Sequence, residues 1–144
     1  MASYCSMLYG GAAMTPRNGS GAKVLIVEDE AIIAKDISHL LTKLGHTVLS
    51  IVSTGEESVH AAGRDRPDVV LMDISLRGKI DGVHAARIIQ DRFRIPIVYL
   101  TALSDRETVD RAWSTKPLAF LQKPFEEGDV ETVLSGLNHK TPSA

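Results

Sequence analysis

The chain has 144 residues, of which 44% are hydrophobic and 24% are charged, and its formal net charge is −2. These values fit one globular domain, and they exclude a broad positive field for nucleic acid and an apolar run that could span a membrane. The single cysteine, Cys5, cannot form an internal disulfide, and the N-terminus lacks the basic and apolar segments of a secretory signal. We therefore expect a cytoplasmic protein with neither nucleic acid nor membrane as a partner.

The two ends of the chain differ in composition from its middle. Residues 1–22 are rich in Gly, Ala and Ser, which predicts a flexible leader, either native or derived from cloning. Residues 139–144 form a short polar tail. Residues 23–138 remain as the one folded domain.

Within this domain, short apolar runs alternate with amphipathic stretches, which predicts strands that alternate with helices. The predicted strands are 23–27, 46–53, 68–73, 95–101 and 118–122. The predicted helices are 31–45, 55–66, 82–93, 104–115 and 126–137. Gly45 is suited to end the first helix and Ser104 to cap the fourth, whereas Trp113 is expected to pack in the core.

Five such units predict an α/β fold, a doubly wound five-stranded parallel sheet with helices on both faces. The strands are apolar throughout rather than alternating with polar residues, so both faces of the sheet should be covered. Right-handed crossovers between parallel strands produce this arrangement. Functional groups of such sheets lie at the carboxyl ends of the strands.

Polar side chains follow four of the predicted strands at those ends. Glu28 and Asp29 follow the first strand, Asp73 ends the third, Thr101 ends the fourth and Lys123 follows the fifth. Each has an ordinary explanation by itself, since acids favour helix N-termini and any of these residues can occur in a loop. Together, three carboxylates, a hydroxyl and an ammonium at one sheet edge predict a common site.

The three carboxylates predict a magnesium site. At about 4 Å and an effective dielectric constant of about 20, each pair of carboxylates costs on the order of 4 kcal/mol. A hard divalent cation with oxygen ligands relieves that repulsion, and Mg²⁺ usually takes one or two carboxylates and keeps several waters. We predict Asp29 and Asp73 as direct ligands, Glu28 as a ligand through water, and the backbone carbonyl of Ser75 as a further ligand.

A metal beside an ammonium and a hydroxyl predicts phosphoryl chemistry, which depends on charge neutralisation and in-line positioning. Asp73 is the predicted nucleophile and would become an acyl phosphate. Magnesium and Lys123 would neutralise the phosphoryl oxygens. The hydroxyl of Thr101 and the backbone amide of Ala102 would hydrogen-bond another of them.

Four motifs in this order resemble the receiver domain of two-component response regulators. They are VLIVEDE with the acid pair, VLMDISL with the phosphoacceptor, VYLTA with the threonine and FLQKPF with the lysine. The resemblance spans residues 22–138, and it implies a flavodoxin-like sheet of strand order 2-1-3-4-5 and a requirement for Mg²⁺. It also implies a stand-alone, chemotaxis-type phosphorelay response regulator, which is a switch rather than a turnover enzyme and catalyses only its own phosphorylation and dephosphorylation.

The resemblance further implies who delivers the phosphoryl group. A histidine kinase or a histidine phosphotransfer protein would transfer it from a phosphohistidine to Asp73. That partner would dock at the start of the first helix, at Ala31 and Ile32, and at the loop of Pro124 and Phe125.

A conformational switch is implied as well. Thr101 would move toward the phosphoryl group, and Phe120 would swing inward. The face formed by the fourth helix, the fifth strand and the fifth helix would then change shape, and a target or a second receiver could dock there as a homodimer partner.

Three positions depart from the commonest receiver pattern. The loop ISLRGKIDG lacks a proline after Leu76 and is one residue longer than usual. Leu103, two residues after Thr101, has no polar group to orient a hydrolytic water, so we hypothesise a long-lived acyl phosphate. Phe120 stands where a tyrosine would carry a hydroxyl.

Three alternatives fit the sequence less well. A hydrolase of the haloacid-dehalogenase type would carry its aspartyl nucleophile after the first strand and a second acid where Ser75 stands. A flavodoxin-like mononucleotide carrier would need a Ser, Thr or Gly-rich phosphate cradle after the first strand, but EDEA is there. A degenerate receiver that only docks would not need all five polar positions.

Overall fold

The computed structural model describes residues 21–102 and 106–140. Its strands are β1 Lys23–Val27, β2 Thr47–Val52, β3 Val69–Asp73, β4 Ile97–Thr101 and β5 Ala119–Gln122. Its helices are α1 Ala31–Lys43, α2 Gly55–Asp65, α3 Gly82–Phe93, α4 Arg106–Trp113 and α5 Glu127–Lys140. The predicted order of strands and helices is confirmed, with bounds that differ by a few residues.

The five strands form one parallel sheet in the order β2-β1-β3-β4-β5. This confirms the predicted doubly wound, flavodoxin-like topology. In the register of the sheet, Val27 lies beside Met72, Asp73 lies beside Leu100 and Thr101 lies beside Gln122. The ends of β1, β3, β4 and β5 therefore meet at one edge.

Helices cover the two faces of the sheet unequally. One core cluster joins the sheet to α2, α3 and α4, and the other joins it to α1 and α5. The central strands β3 and β4 are buried at every residue, as their apolar sequences predict. The edge strands β2 and β5 are only partly buried, because each has a neighbouring strand on one side alone. Helices nevertheless cover both faces of the sheet, as predicted.

Local sequence signals explain where several helices begin and end. The hydroxyl of Thr54 accepts a hydrogen bond from Glu57 N at 3.1 Å and caps α2. The carboxylate of Asp81 accepts one from His84 N at 2.8 Å and caps α3. Gly45 follows the C-cap of α1 with a φ of 95°, a left-handed value that favours glycine.

Some predictions fall at or beyond the edges of the described residues. Ser104 and Leu103 lie outside them, as do residues 1–20 and 141–144. Ala22, assigned to the leader, lies against the fold, since its carbonyl accepts a hydrogen bond from Thr47 N at 2.9 Å and its N–H donates to His46 Nδ1 at 3.0 Å. Among the helices of the described part, none is long and apolar enough to cross a membrane.

The prediction that Trp113 packs in the core was wrong. Its side chain is 58% exposed, and the residue that α4 buries is its neighbour Ala112. Because successive residues of a helix point in different directions, a helix that buries Ala112 turns Trp113 toward solvent. The indole ring instead lies against Phe120, with ring centroids 4.5 Å apart.

Candidate functional site

Three carboxylates meet at the carboxyl edge of the sheet. Glu28 and Asp29 directly follow β1, and Asp73 ends the neighbouring strand β3. One oxygen of each carboxylate lies within 4.8 Å of the corresponding oxygens of the other two. Glu28 and Asp73 are buried, whereas Asp29 is partly exposed. The side chains that the sequence places at the ends of separate strands are thus neighbours in space.

Lys123 reaches into this cluster from the end of β5. Its Nζ lies 3.0 Å from Glu28 Oε1 and 3.6 Å from Asp73 Oδ2. Its backbone N–H donates to the carbonyl oxygen of Thr101 at 2.8 Å, which fixes the residue beside the end of β4. One ammonium therefore serves two of the three carboxylates.

Burial and charge shift the pKa values of Glu28 and Lys123. Burial, reinforced by the neighbouring charge of Asp73, raises the pKa of Glu28 to about 7, although Lys123 opposes the change. Burial acts to lower the pKa of Lys123, but its hydrogen bond to Glu28 and the charge of Asp73 outweigh burial, so the pKa is above its ordinary value. Three acids and one lysine leave the site with an excess of negative charge that its burial makes costly.

Both carboxylate oxygens of Glu28 have partners within the protein. Oε1 accepts the bond from Lys123, and Oε2 accepts a hydrogen bond from Glu30 N at 3.2 Å. Its side chain is fully buried. These contacts show that Glu28 positions Lys123. They are compatible with Glu28 binding a cation through a water molecule, which stays a prediction.

The side chain of Asp73 is fixed on two sides. Ser75 N donates a hydrogen bond to Asp73 Oδ1 at 3.0 Å, while Asp73 Oδ2 faces Lys123. The backbone carbonyl of Asp73 packs against the α-carbon of Gly82, where a Cβ would lie 2.2 Å from the carbonyl oxygen. The predicted use of the Ser75 carbonyl as a metal ligand stays a prediction.

The loop between β3 and α3 adds a second cation to the site. Arg77 Nε lies 3.7 Å from Asp29 Oδ2. The loop is tied to α2, because Lys79 N donates to Glu56 Oε2 at 3.1 Å. Its end is tied to α4, because Arg111 Nη1 lies 3.0 Å from Asp81 Oδ2.

Thr101 and Ala102 lie where the sequence predicts them. Thr101 ends β4 one residue beyond Leu100, the sheet neighbour of Asp73, and it is buried. Ala102 follows and is exposed. Their predicted bonds to phosphoryl oxygens stay predictions.

Phe120, the predicted switch residue, is half-buried between two aromatic rings. Its ring centroid lies 5.4 Å from that of Tyr99 and 4.5 Å from that of Trp113. Tyr99 is itself held by a 2.8 Å hydrogen bond between its hydroxyl and that of Thr115. Phe120 therefore links the buried strand β4 to the exposed end of α4.

The four predicted docking residues lie on the same side of the molecule as the acidic cluster. Ala31 and Ile32 are exposed at the start of α1, and Ile32 is 78% exposed. Pro124 and Phe125 line a groove of about 410 Å³ between α1 and the loop after β5. The remaining lining residues of that groove are Ile33, Asp36, Ile37, Leu40 and Lys123.

The donor set fits a hard divalent cation. The three side chains that converge are all carboxylates, the oxygen ligands that Mg²⁺ prefers. Lys123, whose side chain is 22% exposed, leaves part of their charge uncompensated, and a divalent ion would complete the balance. Because Asp29 is partly exposed, an ion can reach the carboxylates from solvent.

Two residues of the site were not identified from the sequence. Arg77 was not assigned to the site, although an arginine four residues after Asp73 in a short loop is a signal that could have been followed. The helical pattern gives Gly82 no special role, although a glycine at the start of a helix often marks a close backbone approach.

A family sequence model and several curated proteins match this chain. The sequence model of the family described as "Response regulator receiver domain" matches residues 24–135. The transcriptional regulatory protein PdtaR of Mycobacterium tuberculosis is 39% identical over 108 residues, which cover 75% of this chain and 52% of that protein. Protein PilH of Pseudomonas aeruginosa is 35% identical over 122 residues, which cover 81% of this chain and 95% of PilH.

A solved structure is similar over nearly the same region. It is the receiver domain of a sensor histidine kinase from Pseudomonas aeruginosa, determined with a magnesium ion coordinated in its active site cleft. The TM-score is 0.74 and the identity 30%, over 83% of this chain and 99% of that one. The chain spans about half the length of the first curated relatives that it matches, PdtaR among them.

Proposed function

The chain belongs to the response regulator receiver domain family, and on this premise we propose that it is a phosphorelay switch in which Asp73 accepts a phosphoryl group from a phosphohistidine. One observation carries the proposal. The carboxylate of Asp73 lies 3.6 Å from the ammonium of Lys123 and within 4.8 Å of two further carboxylates, at the edge where β3 ends.

The proposed reaction moves one phosphoryl group. An oxygen of Asp73 forms a bond to phosphorus while the bond from phosphorus to the imidazole nitrogen of the donor breaks. The imidazole leaves with the electron pair of that bond and takes up a proton from water, so the product on this chain is an acyl phosphate.

Several residues prepare Asp73 for this reaction. The Ser75 amide holds Oδ1, so the carboxylate is oriented before the donor arrives. Lys123 neutralises charge that develops on the phosphoryl oxygens, and the Thr101 hydroxyl and the Ala102 amide hydrogen-bond another oxygen. Gly82 keeps the backbone of Asp73 in place.

Magnesium is part of the proposal. Asp29, Asp73 and the Ser75 carbonyl would hold it, with Glu28 acting through water. When bound it supplies charge neutralisation for the phosphoryl oxygens. The oxygen-only donor set and the magnesium ion named for the sensor-kinase receiver support this assignment.

The output of the switch is proposed to be the face of α4, β5 and α5. Thr101 would turn toward the phosphoryl group and Phe120 would swing inward, away from Trp113. A target protein or a second copy of the receiver would then bind the altered face. The position of Phe120 between Tyr99 and Trp113 supports a coupling of the strand to this surface.

The proposed donor is a cytoplasmic histidine kinase or histidine phosphotransfer protein. The exposed Ile32 and the groove at Pro124 and Phe125 support docking beside the acidic cluster. The chain would act as a switch and not as an enzyme with a separate substrate, since its own carboxylate is consumed in the reaction.

The test uses acetyl phosphate and Mg²⁺ as a small-molecule donor. Intact-mass spectrometry should show one added phosphoryl group on the wild-type chain and none on Asp73→Asn. A wild-type chain that stays unlabelled, or equal labelling of Asp73→Asn, would refute the proposal and favour a receiver that only docks.

A further inference from the structure

Arg77 is a cation at the mouth of the site that the proposed reaction does not use. We propose that Arg77 is a phosphoryl-binding residue that rests on Asp29 in the cation-free protein. It turns to the phosphoryl group when a divalent cation occupies Asp29. The inference rests on the proposed function and assigns a second phosphoryl-binding cation to it.

The ion pairs at the sheet edge divide the three acids between two cations. Lys123 contacts Glu28 and Asp73, while Arg77 lies 3.7 Å from Asp29. Asp29 is a predicted ligand of the divalent cation. A cation that binds there repels the guanidinium of Arg77, so Arg77 must leave Asp29 as the ion enters.

Leaving Asp29 costs Arg77 little. The Arg77 side chain is 93% exposed and the Asp29 side chain 20% exposed. An exposed ion pair at this distance contributes little to stability, because water screens it and a long side chain must be ordered to form it. The contact is therefore the resting position of Arg77 and contributes little to the stability of the fold.

The backbone on both sides of Arg77 is fixed, so its side chain stays at the site when it leaves Asp29. Two residues before it, Ser75 N donates to Asp73 Oδ1 at 3.0 Å. Two residues after it, Lys79 N donates to Glu56 Oε2 at 3.1 Å. These bonds hold the loop over the acidic cluster while the guanidinium remains able to turn.

Charge and distance favour a phosphoryl group as the second position. The phosphoryl group of an acyl phosphate itself carries about 1.5 to 2 negative charges at neutral pH. The guanidinium of Arg77 contacts Asp29, and a carboxylate oxygen of Asp29 lies within 4.8 Å of a carboxylate oxygen of Asp73. A rotation of the Arg77 side chain can therefore bring the guanidinium to a phosphoryl group on Asp73. The planar fork of arginine matches phosphate oxygens, and Lys123 would contact them from the β5 side.

The first test measures the second-order rate constant for labelling of Asp73 by acetyl phosphate at saturating Mg²⁺. Arg77→Gln should lower it about tenfold, the loss expected for one charge-assisted hydrogen bond. The rate constant of Arg77→Lys should lie between those of the wild type and Arg77→Gln, since lysine keeps the charge but cannot make the bidentate contact of a guanidinium. The matched control is Lys79→Gln, which removes the same charge from the same loop and should label at the wild-type rate.

The second test measures the binding of Mg²⁺ and of a phosphoryl mimic, with no phosphoryl transfer to Asp73. In Arg77→Gln, the midpoint of the Mg²⁺-induced rise in melting temperature should shift to lower Mg²⁺ because the competitor for Asp29 is gone. At saturating Mg²⁺, the midpoint for beryllofluoride, a phosphoryl mimic, should shift to higher concentration. Lys79→Gln should leave both midpoints unchanged.

The outcomes separate this inference from the proposed function. A wild-type rate in Arg77→Gln, with labelling of wild-type Asp73 intact, would overturn the role of Arg77 alone. An equal loss of labelling rate in Lys79→Gln would show that any positive charge in the loop has this effect, and it would also overturn the specific role of Arg77. A wild-type chain that accepts no phosphoryl group would remove the proposed function itself.

Discussion

Gly82, the first residue of α3, packs its α-carbon against the backbone carbonyl of Asp73, the last residue of β3. A Cβ added at Gly82 would lie 2.2 Å from that carbonyl oxygen and 3.2 Å from the carbonyl carbon. Backbone atoms cannot yield as the end of a flexible side chain can. The start of α3 therefore sets the position of Asp73, the proposed phosphoacceptor, and only glycine permits the contact.

Gly82→Ala should lower the free energy of unfolding by about 1–3 kcal/mol, because the new methyl group must displace the end of β3. It should also slow labelling of Asp73 by acetyl phosphate. Gly128→Ala is the matched control, since a Cβ there meets nothing within 4 Å. That control should stabilise the chain by up to about 1 kcal/mol through helix propensity. Urea unfolding of both variants is the measurement, and equal stabilities would contradict the close approach.

Magnesium should stabilise the folded chain through Asp29. At a Mg²⁺ concentration one hundred times Kd, linkage predicts a gain of about 2.7 kcal/mol in the free energy of unfolding. Asp29→Asn should abolish that gain, and without Mg²⁺ it should be at least as stable as the wild type because one crowded carboxylate is gone. Thermal melts with and without Mg²⁺ are the measurement, with the exposed Asp91→Asn as control. A full magnesium response in Asp29→Asn would rule it out as a ligand.

His46 should make stability depend on pH. Burial lowers the pKa of His46, although the charge of Glu131 opposes this, and Nδ1 accepts a hydrogen bond from Ala22 N. As pH falls below the unfolded value of about 6.5, the unfolded chain takes up a proton before the folded chain does. The stabilisation is therefore complete above that pH and is lost as pH falls through the lowered pKa.

Urea unfolding between pH 5 and pH 8 tests this dependence. In His46→Gln, the part of the pH dependence due to this imidazole should disappear, since glutamine does not titrate. If His46→Gln retains the wild-type curve, the imidazole of His46 is not the group responsible.

Trp113 should report on Phe120, the proposed switch residue. It is the single tryptophan of the chain, and its ring lies 4.5 Å from that of Phe120. Movement of Phe120 away from Trp113 on addition of beryllofluoride and Mg²⁺ should change the indole fluorescence. Phe120→Leu should largely remove that change, and it should lower the free energy of unfolding by about 0.5–1.5 kcal/mol for each aromatic pair that it removes. An unaltered response in Phe120→Leu would show that the signal has another source.

The sequence was sufficient to predict the fold and the residues that meet at the sheet edge. Apolar runs identified the strands, and parallel strands bring their carboxyl ends together, so Asp29, Asp73 and Lys123 had to be neighbours. The strand pattern does not indicate that Lys123 pairs with Glu28. That contact joins residues 95 positions apart and depends on the buried position of the Glu28 side chain.

Loop and helix-end residues such as Arg77 and Gly82 can be singled out in the sequence, but the partners that they contact cannot. Arg77 lies beside Asp29 because of how the loop after β3 is tied to Glu56, and no periodicity encodes that tie. Trp113 was expected inside because it is large and apolar, yet the direction in which a helix points its last residue depends on its neighbours. The packing of Gly82 against Asp73 similarly depends on how α3 approaches β3.

The most direct test of phosphorylation at Asp73 identifies the residue that carries the phosphoryl group. After incubation with acetyl phosphate and Mg²⁺, borohydride reduces an aspartyl phosphate to homoserine, and peptide mass spectrometry locates that residue. If Asp73 is the phosphoacceptor, homoserine appears at position 73 in the wild-type chain and does not appear in Asp73→Asn. Reduction at another carboxylate, such as Asp29 or Glu28, or no reduction at all, would contradict it.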